Sequence, residues 1–281
     1  MSTSLNIKPV LPSFGGATLL DQIELRHGPI ALLGRFFLLA EQAARERGVY
    51  LRLHTDMASL AEVYPEVLPG RQVPVLPIFD PAHSDLSPDN AFWISGHDES
   101  GMVVATQAAR FFDMTQSTVE QEFVSLRPFF AAPEKHLAMG MRCLVDCPPA
   151  SDITGRVIYS GGAVYHSKVR GCGISRIMPR ISRALAYSTW NSDYTISLVE
   201  PVLVEKKVHI SYGYTRHSKS INLRGTNRGD VDSELIWMPT SEMLEDLTSY
   251  ASEAVGNEVR NTETTDTNWL EPRRQGSSSR S

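Results

Sequence analysis

Between residues 29 and 54 the chain passes from one hydrophobic period to another. Leu32, Leu33, Phe36, Phe37, Ala40 and Ala44 recur at the spacing of one helical face. Pro29 stands where a helix can start and Gly48 where one stops, so the pattern predicts a helix over 29–47. From Val49 to His54 the residues alternate, Val and Leu on one parity, Tyr, Arg and His on the other, which predicts a strand. Asp56 is placed to cap a short helix over 57–64. Residues 65–88 are proline-rich and read as loop.

Strand-like runs at 92–95 and 102–110, joined by a polar turn over 96–101, predict a hairpin. A helix is expected over 119–127, started by Ser117 or Thr118 and ended by Pro128. Residues 156–165 read as a strand interrupted by Gly161 and Gly162, a pair that marks a bulge or the close approach of a ligand. A helix over 173–190 follows, with Ile174, Ile177, Ile181 and Leu185 on its apolar face. Then come a strand over 194–199, a helix over 202–212, a strand over 234–238 and a helix over 240–254. Residues 257–281 are polar and end in a Ser-rich run, so a disordered tail is expected. No internal repeat is visible.

The chain has 281 residues, 42% hydrophobic and 21% charged, ordinary for a folded protein. A net charge of −5 with interspersed signs disfavours nucleic acid as a partner. The apolar stretch 30–44 is interrupted by Arg35, Glu41 and Gln42 and is too short to span a bilayer, and the first twelve residues lack a secretory pattern. Three cysteines, Cys143, Cys147 and Cys172, are too few and too irregular for a disulfide framework, so a cytoplasmic setting is expected. His136 and His166 do not complete a metal-ligand spacing with them, and no metal is expected.

The chemistry concentrates in Arg170-Gly171-Cys172-Gly173-Ile174-Ser175, a loop between a strand and a helix. Glycines there let an anion approach backbone N–H groups without a Cβ in the way. The first helical turn has unpaired N–H groups and partial positive charge, suited to a diphosphate, and Arg170 adds a bidentate donor. A Walker loop would need Gly-Lys-Ser/Thr, which is absent, and the position deep in the chain disfavours a dinucleotide fingerprint.

Residues 163–175 resemble the signature of the GNAT acyl-CoA-dependent N-acyltransferases, in which a strand ends in an Arg/Gln-x-x-Gly-x-Gly/Ala loop. Arg170 and Gly173 match; Ser175 replaces the last small residue, and Pro179 in the following helix is a further departure. The resemblance covers residues 49–238 in element order. It implies an α/β (α+β) fold, a mixed, mostly antiparallel central sheet flanked by helices. The helix over 29–47 is extra to that core and is expected to pack on the sheet or on a second copy in a homodimer. Expected units are an extension over 1–48, an acyltransferase domain over 49–254 and the tail over 255–281.

The resemblance further implies acetyl-CoA or another acyl-CoA as co-substrate and a small-molecule or peptide amine as acceptor. CoA would be held by Val164, Tyr165, Arg170, Gly171, Cys172, Gly173, Ile174 and Ser175, the N–H groups near Val164 and Tyr165 polarising the thioester. A family tyrosine that protonates the leaving thiolate falls here on His209, with Tyr212 nearby, and both are candidates. Cys172 could be read as a nucleophile at a helix start, but no histidine partner is identifiable. Trp93, Gln107 and Arg110 on the hairpin are candidates for the acceptor site; Trp93 equally suits a core position. His166 and Lys168 are either phosphate contacts or a solvated strand end. Two other readings stay open, a GNAT-like acyl-CoA-binding sensor or scaffold without turnover, and an α/β protein whose glycine loop is only a tight turn.

Overall fold

A computed structural model describes residues 18–68, 74–226 and 229–266. In chain order its elements are α1 (Leu19–Gln22), α2 (Ile30–Arg45), β1 (Tyr50–His54), α3 (Met57–Val63), β2 (Ala91–His97), β3 (Val103–Met114), α4 (Val119–Val124) and α5 (Pro133–Ala138). There follow β4 (Arg142–Val145), α6 (Pro149–Asp152), β5 (Gly155–Tyr165), α7 (Ile174–Trp190), β6 (Tyr194–Val199), α8 (Pro201–Glu205), α9 (Val208–Ser211), β7 (Arg216–Arg224), β8 (Val231–Pro239) and α10 (Thr240–Asp266).

The strands form one sheet in the order β1-β2-β3-β5-β6-β8-β7-β4. Among the described residues β5 and β6 are the one parallel pair, and every other neighbouring pair is antiparallel. Two parallel neighbours need a crossover, and α7 supplies it. The fold is thus mixed α/β with a mostly antiparallel sheet.

Alternation along the strands gives each face its own core. Phe92 and Ile94 point to the face covered by α2, α7 and α10, where Phe36, Phe37, Ile177, Ile181, Met243 and Leu247 meet them. Trp93 and Ala108 point to the other face, under Leu60 of α3, Phe79 and Phe123 of α4. Each such side chain contributes roughly 1.5–3 kcal/mol when fully buried. The stripe on α2 is therefore committed to this chain's own sheet and helices: Leu33, Phe36, Phe37, Ala40 and Ala44 are all buried.

Local chemistry sets several boundaries. Asp56 caps α3 by accepting from the Ala58 N–H, and Thr118 with Gln121 forms a capping box on α4. Several features depart from the sequence expectation, among them the short helices α1, α5 and α6, which no pattern announced. β4 and β7 were not anticipated, because β4 is four residues long and β7 reads Arg-His-Ser-Lys-Ser-Ile-Asn-Leu-Arg, nearly all polar. The helix expected over 202–212 is two short ones, since Lys207 adopts φ +56° and redirects the chain. The last helix runs past Ala254 to Asp266. The remaining tail, 267–281, and the stretch before residue 18 lie outside the described residues. Among the described residues no helix is long and apolar enough to cross a membrane, and no group of three or more His, Cys, Asp or Glu is placed to hold a metal ion.

Candidate functional site

The sheet opens between its two parallel strands. β5 pairs with β6 only where Val157, Ile158 and Tyr159 face Tyr194, Thr195 and Ile196. Beyond that point β5 continues to Tyr165 against β3, and β6 continues to Val199 against β8. Their C-terminal halves thus share no ladder with each other. The Tyr159 hydroxyl, reaching across, accepts from the Leu198 N–H at 3.4 Å near the closed end of the opening.

A bulge on β5 bends the strand at this place. Gly162 and Ala163 together oppose Gln107 of β3, and the register shifts between Thr106 and Ala108. Gly162 has φ +61°, and a Cβ there would lie 3.2 Å from the Ala108 Cβ; one on Gly161 would lie 2.9 Å from the Tyr159 ring. Both glycines are therefore required by backbone conformation and space, as their pairing in the sequence suggested. The His166 N–H donates to the Val104 carbonyl at 2.8 Å. Strand alternation then turns the N–H of Val164 towards β3 and that of Tyr165 away from it, towards the opening. Of the two residues expected to polarise a carbonyl, Tyr165 has the free geometry and Val164 does not.

The opening leads to the glycine loop. A 3₁₀ turn over Ser167–Val169 brings the chain to Arg170, and Gly171 (φ +80°) and Gly173 (φ +85°) turn it into α7. Gly173 is the N-cap and offers no side-chain oxygen to the first-turn N–H groups. Among the described residues, its two chain neighbours aside, no heavy atom lies within 4 Å of where a Gly171 Cβ would stand, so that side of the loop is open. Arg170 is exposed, its Nε donating to the Tyr165 carbonyl at 3.3 Å. Arg47, beyond the end of α2, donates from Nε to the Cys172 carbonyl at 2.8 Å and so fastens the loop to the N-terminal helix. Lys168 and Arg176 are also exposed beside it. The Ile174 side chain is buried, leaving its backbone as the part that can face a ligand. The Cys172 thiol donates to the Val169 carbonyl at 2.8 Å, a tie within the turn.

The two catalytic candidates diverge. Tyr212 lies beside Tyr165: burial first, then Tyr212, holds the Tyr165 hydroxyl well above the ordinary phenol range. The Tyr165 hydroxyl is buried without a hydrogen-bond partner among the described residues. Burial raises Tyr212 as well, and its carbonyl accepts from Arg183 at 2.7 Å. His209, 4% exposed, turns instead to β7, its ring 5.1 Å from that of His217, whose Nδ1 lies 3.2 Å from the buried Glu234 carboxylate. Burial, then His217, lowers the pKa of His209.

The hairpin candidates are already engaged. Trp93 is 2% exposed, stacks on His54 at 4.2 Å and donates from Nε1 to the Asp56 carbonyl. Gln107 sits in the bulge and donates to the Ser160 hydroxyl and the Gly161 carbonyl. Arg110 donates to the carbonyls of Ile78, Pro128 and Asp85, and burial lowers its pKa to about 10. Arg110 is thus a tie between loops rather than a lining residue for an acceptor, because its guanidinium is enclosed by the carbonyls it holds. A cleft of about 580 Å³ lined by Thr154, Asp193 and Thr240 lies at the opposite ends of β5 and β6, away from the glycine loop.

No family model matches this sequence, and no curated protein matches it. Solved structures similar to it include GNAT-superfamily acetyltransferases. One is a phosphinothricin acetyltransferase from Sinorhizobium meliloti in complex with AcCoA, 16% identical over 68% of this chain and 88% of that one, TM-score 0.36. Another is a variant of the spermidine N-acetyltransferase SpeG from Vibrio cholerae, 9% identical over 69% of this chain and 96% of that one, TM-score 0.37. A third, an uncharacterized protein from Bacillus halodurans, is 6% identical over 73% of this chain and 92% of that one, TM-score 0.44. Identities and scores of this size carry no inference about activity.

Proposed function

We propose that this chain is an acyl-CoA-dependent N-acyltransferase of the GNAT kind, acting in the cytoplasm on an amine of a small molecule or peptide, with acetyl-CoA as the first donor to test. The observation that supports it is the continuity of three features: an opening between parallel strands, a bulged strand edge with the Tyr165 N–H turned into it, and an uncapped helix start with two left-handed glycines at its end. A diphosphate would rest on the first-turn N–H groups of α7 with Arg170 beside it. The thioester carbonyl would accept from the Tyr165 N–H, which then meets the oxyanion as it forms. The amine nitrogen bonds to the carbonyl carbon and gives up a proton, directly or through water, to a general base, the carbon–sulfur bond breaks, and the thiolate takes a proton. Tyr212 is the donor favoured for that proton: burial raises its pKa, so it stays protonated at neutral pH.

The buried His209 favours a second reading, an acyl-CoA-binding module without turnover, since the side chain in the expected donor position turns away from Tyr212. Thiol release from acetyl-CoA with a panel of amines separates the two. Turnover is expected, and Tyr212→Phe should lower kcat roughly 10²-fold at unchanged CoA affinity. CoA binding without thiol release from any amine would support the module instead.

A further inference from the structure

The sheet has two edge strands, β1 and β4, and the chain treats them differently. An unpaired edge presents a row of N–H and C=O groups ready to template another strand. On β1 the Gln22 side chain closes the edge. It donates from Nε2 to the Leu53 carbonyl at 3.1 Å and accepts from the Leu53 N–H at 2.9 Å. Among the described residues no such side chain closes β4. The Asp146 N–H donates to the Ser220 carbonyl at 2.9 Å, so by alternation residues 142, 144 and 146 make their backbone hydrogen bonds with β7. The N–H and C=O groups of Cys143 and Val145 therefore point outward, and among the described residues no hydrogen bond reaches them. The side chains alternate too: Cys143 and Cys147 are buried, whereas Arg142, Leu144 and Asp146 are exposed, Leu144 to 53%. Val124 of α4, also exposed, lines with β4 an open groove of about 500 Å³. The Arg142 guanidinium donates from Nη1 to the Leu137 and Met141 carbonyls. Among the described residues neither Arg142 nor Asp146 has an ion-pair partner.

We propose that the β4 edge is an interface with a second copy of this chain, the two β4 strands pairing antiparallel about a two-fold axis at Leu144. A two-fold interface must be self-complementary, with each contact made twice. The order Arg142, Leu144, Asp146 meets that condition. With Leu144 opposite its own copy, Cys143 stands opposite Val145 of the other chain. These two residues exchange both backbone hydrogen bonds on each side of the axis, using the groups that β7 leaves free. Arg142 falls opposite Asp146 of the other chain on the exposed face, so each charge gains a partner of opposite sign. Leu144 packs on its copy, which takes exposed apolar surface out of water. The register is specified by the side chains. An axis at Cys143 or Val145 would set Leu144 against Arg142 or Asp146 and leave the other charge without its partner. Strands β6, β8 and β7 separate β4 from the opening beside β5, so the interface does not depend on the acyltransferase reading.

Sedimentation velocity of the full chain over a range of concentrations tests the interface. A reversible dimer is expected. Asp146→Arg sets like charges opposite each other on both sides of the axis and should raise the dissociation constant at least about tenfold. Arg142→Asp should do the same. Mixing these two variants restores both contacts of opposite sign and should give a heterodimer, a result that misfolding of either variant cannot produce. Val145→Pro removes an outward donor while sparing the ladder to β7, and should also favour the monomer. Leu144→Cys in a Cys172→Ser background reads the register. It should oxidise to a covalent dimer joined at position 144, because a non-hydrogen-bonded pair holds its Cα atoms within disulfide reach. A wild-type chain that stays monomeric at its highest soluble concentration would overturn the proposal. So would a dimer that Asp146→Arg and Arg142→Asp leave intact, which would place the interface elsewhere.

Discussion

Asp246→Ala is expected to destabilise the protein by about 3–5 kcal/mol, the cost of leaving buried charge without its partner. Asp246 on α10 accepts from the Arg180 Nε at 2.9 Å and Nη2 at 2.7 Å, and from the Arg183 Nη2 at 3.4 Å. The Arg183 side chain is wholly buried and Arg180 nearly so. The same guanidiniums donate to the carbonyls of Ser211 and Tyr212, so one carboxylate ties α7, α10 and the turn after α9 together. Gly213 makes room for the knot: a Cβ there would fall 2.6 Å from the Asp246 carboxylate and 2.8 Å from the Arg183 guanidinium. Removing the carboxylate leaves two like charges facing each other in a low-dielectric setting. Urea denaturation measures the loss, and a change below about 1 kcal/mol, the range of an exposed pair, would contradict this picture.

The second large effect concerns ligand binding. Gly173→Asp places a carboxylate at the start of α7 on a backbone at φ +85°, in conflict with both the conformation and the anion the helix start would hold. A loss of CoA affinity of roughly a hundredfold or more is expected, about 2.7 kcal/mol. Arg170→Glu should weaken binding by about 10- to 100-fold through loss of charge-assisted hydrogen bonds worth ~1.5–3 kcal/mol. Arg170 is exposed and its one hydrogen bond among the described residues goes to Tyr165, so this variant should keep the fold intact. Calorimetric titration with CoA reads both effects. Unchanged affinity in Arg170→Glu and Gly173→Asp would place the phosphates elsewhere.

Much of the architecture was legible wherever a single physical period dominated. The stripe on α2, the alternation of β1 and the glycine pair on β5 each have one cause, and each is found where that cause puts it. β7 escaped notice because pairing with β8 and β4 holds it in place, and only Ile221 among its residues is buried. The break at Lys207 escaped for a related reason: a lone lysine with positive φ carries no local signal. The glycine loop was readable from its residues. The roles of single side chains were less so, because they depend on what tertiary packing brings near. Arg110 reads as a free cation in sequence but is enclosed by three carbonyls. Arg142 and Asp146 read as ordinary surface charges, and only the pairing of β4 on β7 shows that they flank an open edge. The alternation of Arg142, Leu144 and Asp146 with Cys143 and Val145 was the available hint.

The central claim is that the strand opening and the α7 loop form an acyl-CoA site. Thermal-shift titration of the full chain with acetyl-CoA, desulfo-CoA and ATP tests it most directly. Stabilisation of about 2.7 kcal/mol at a hundredfold excess over the dissociation constant is expected with both CoA species and not with ATP. No shift with either CoA species, or an equal shift with ATP, would contradict it and leave the loop as a tight turn between β5 and α7.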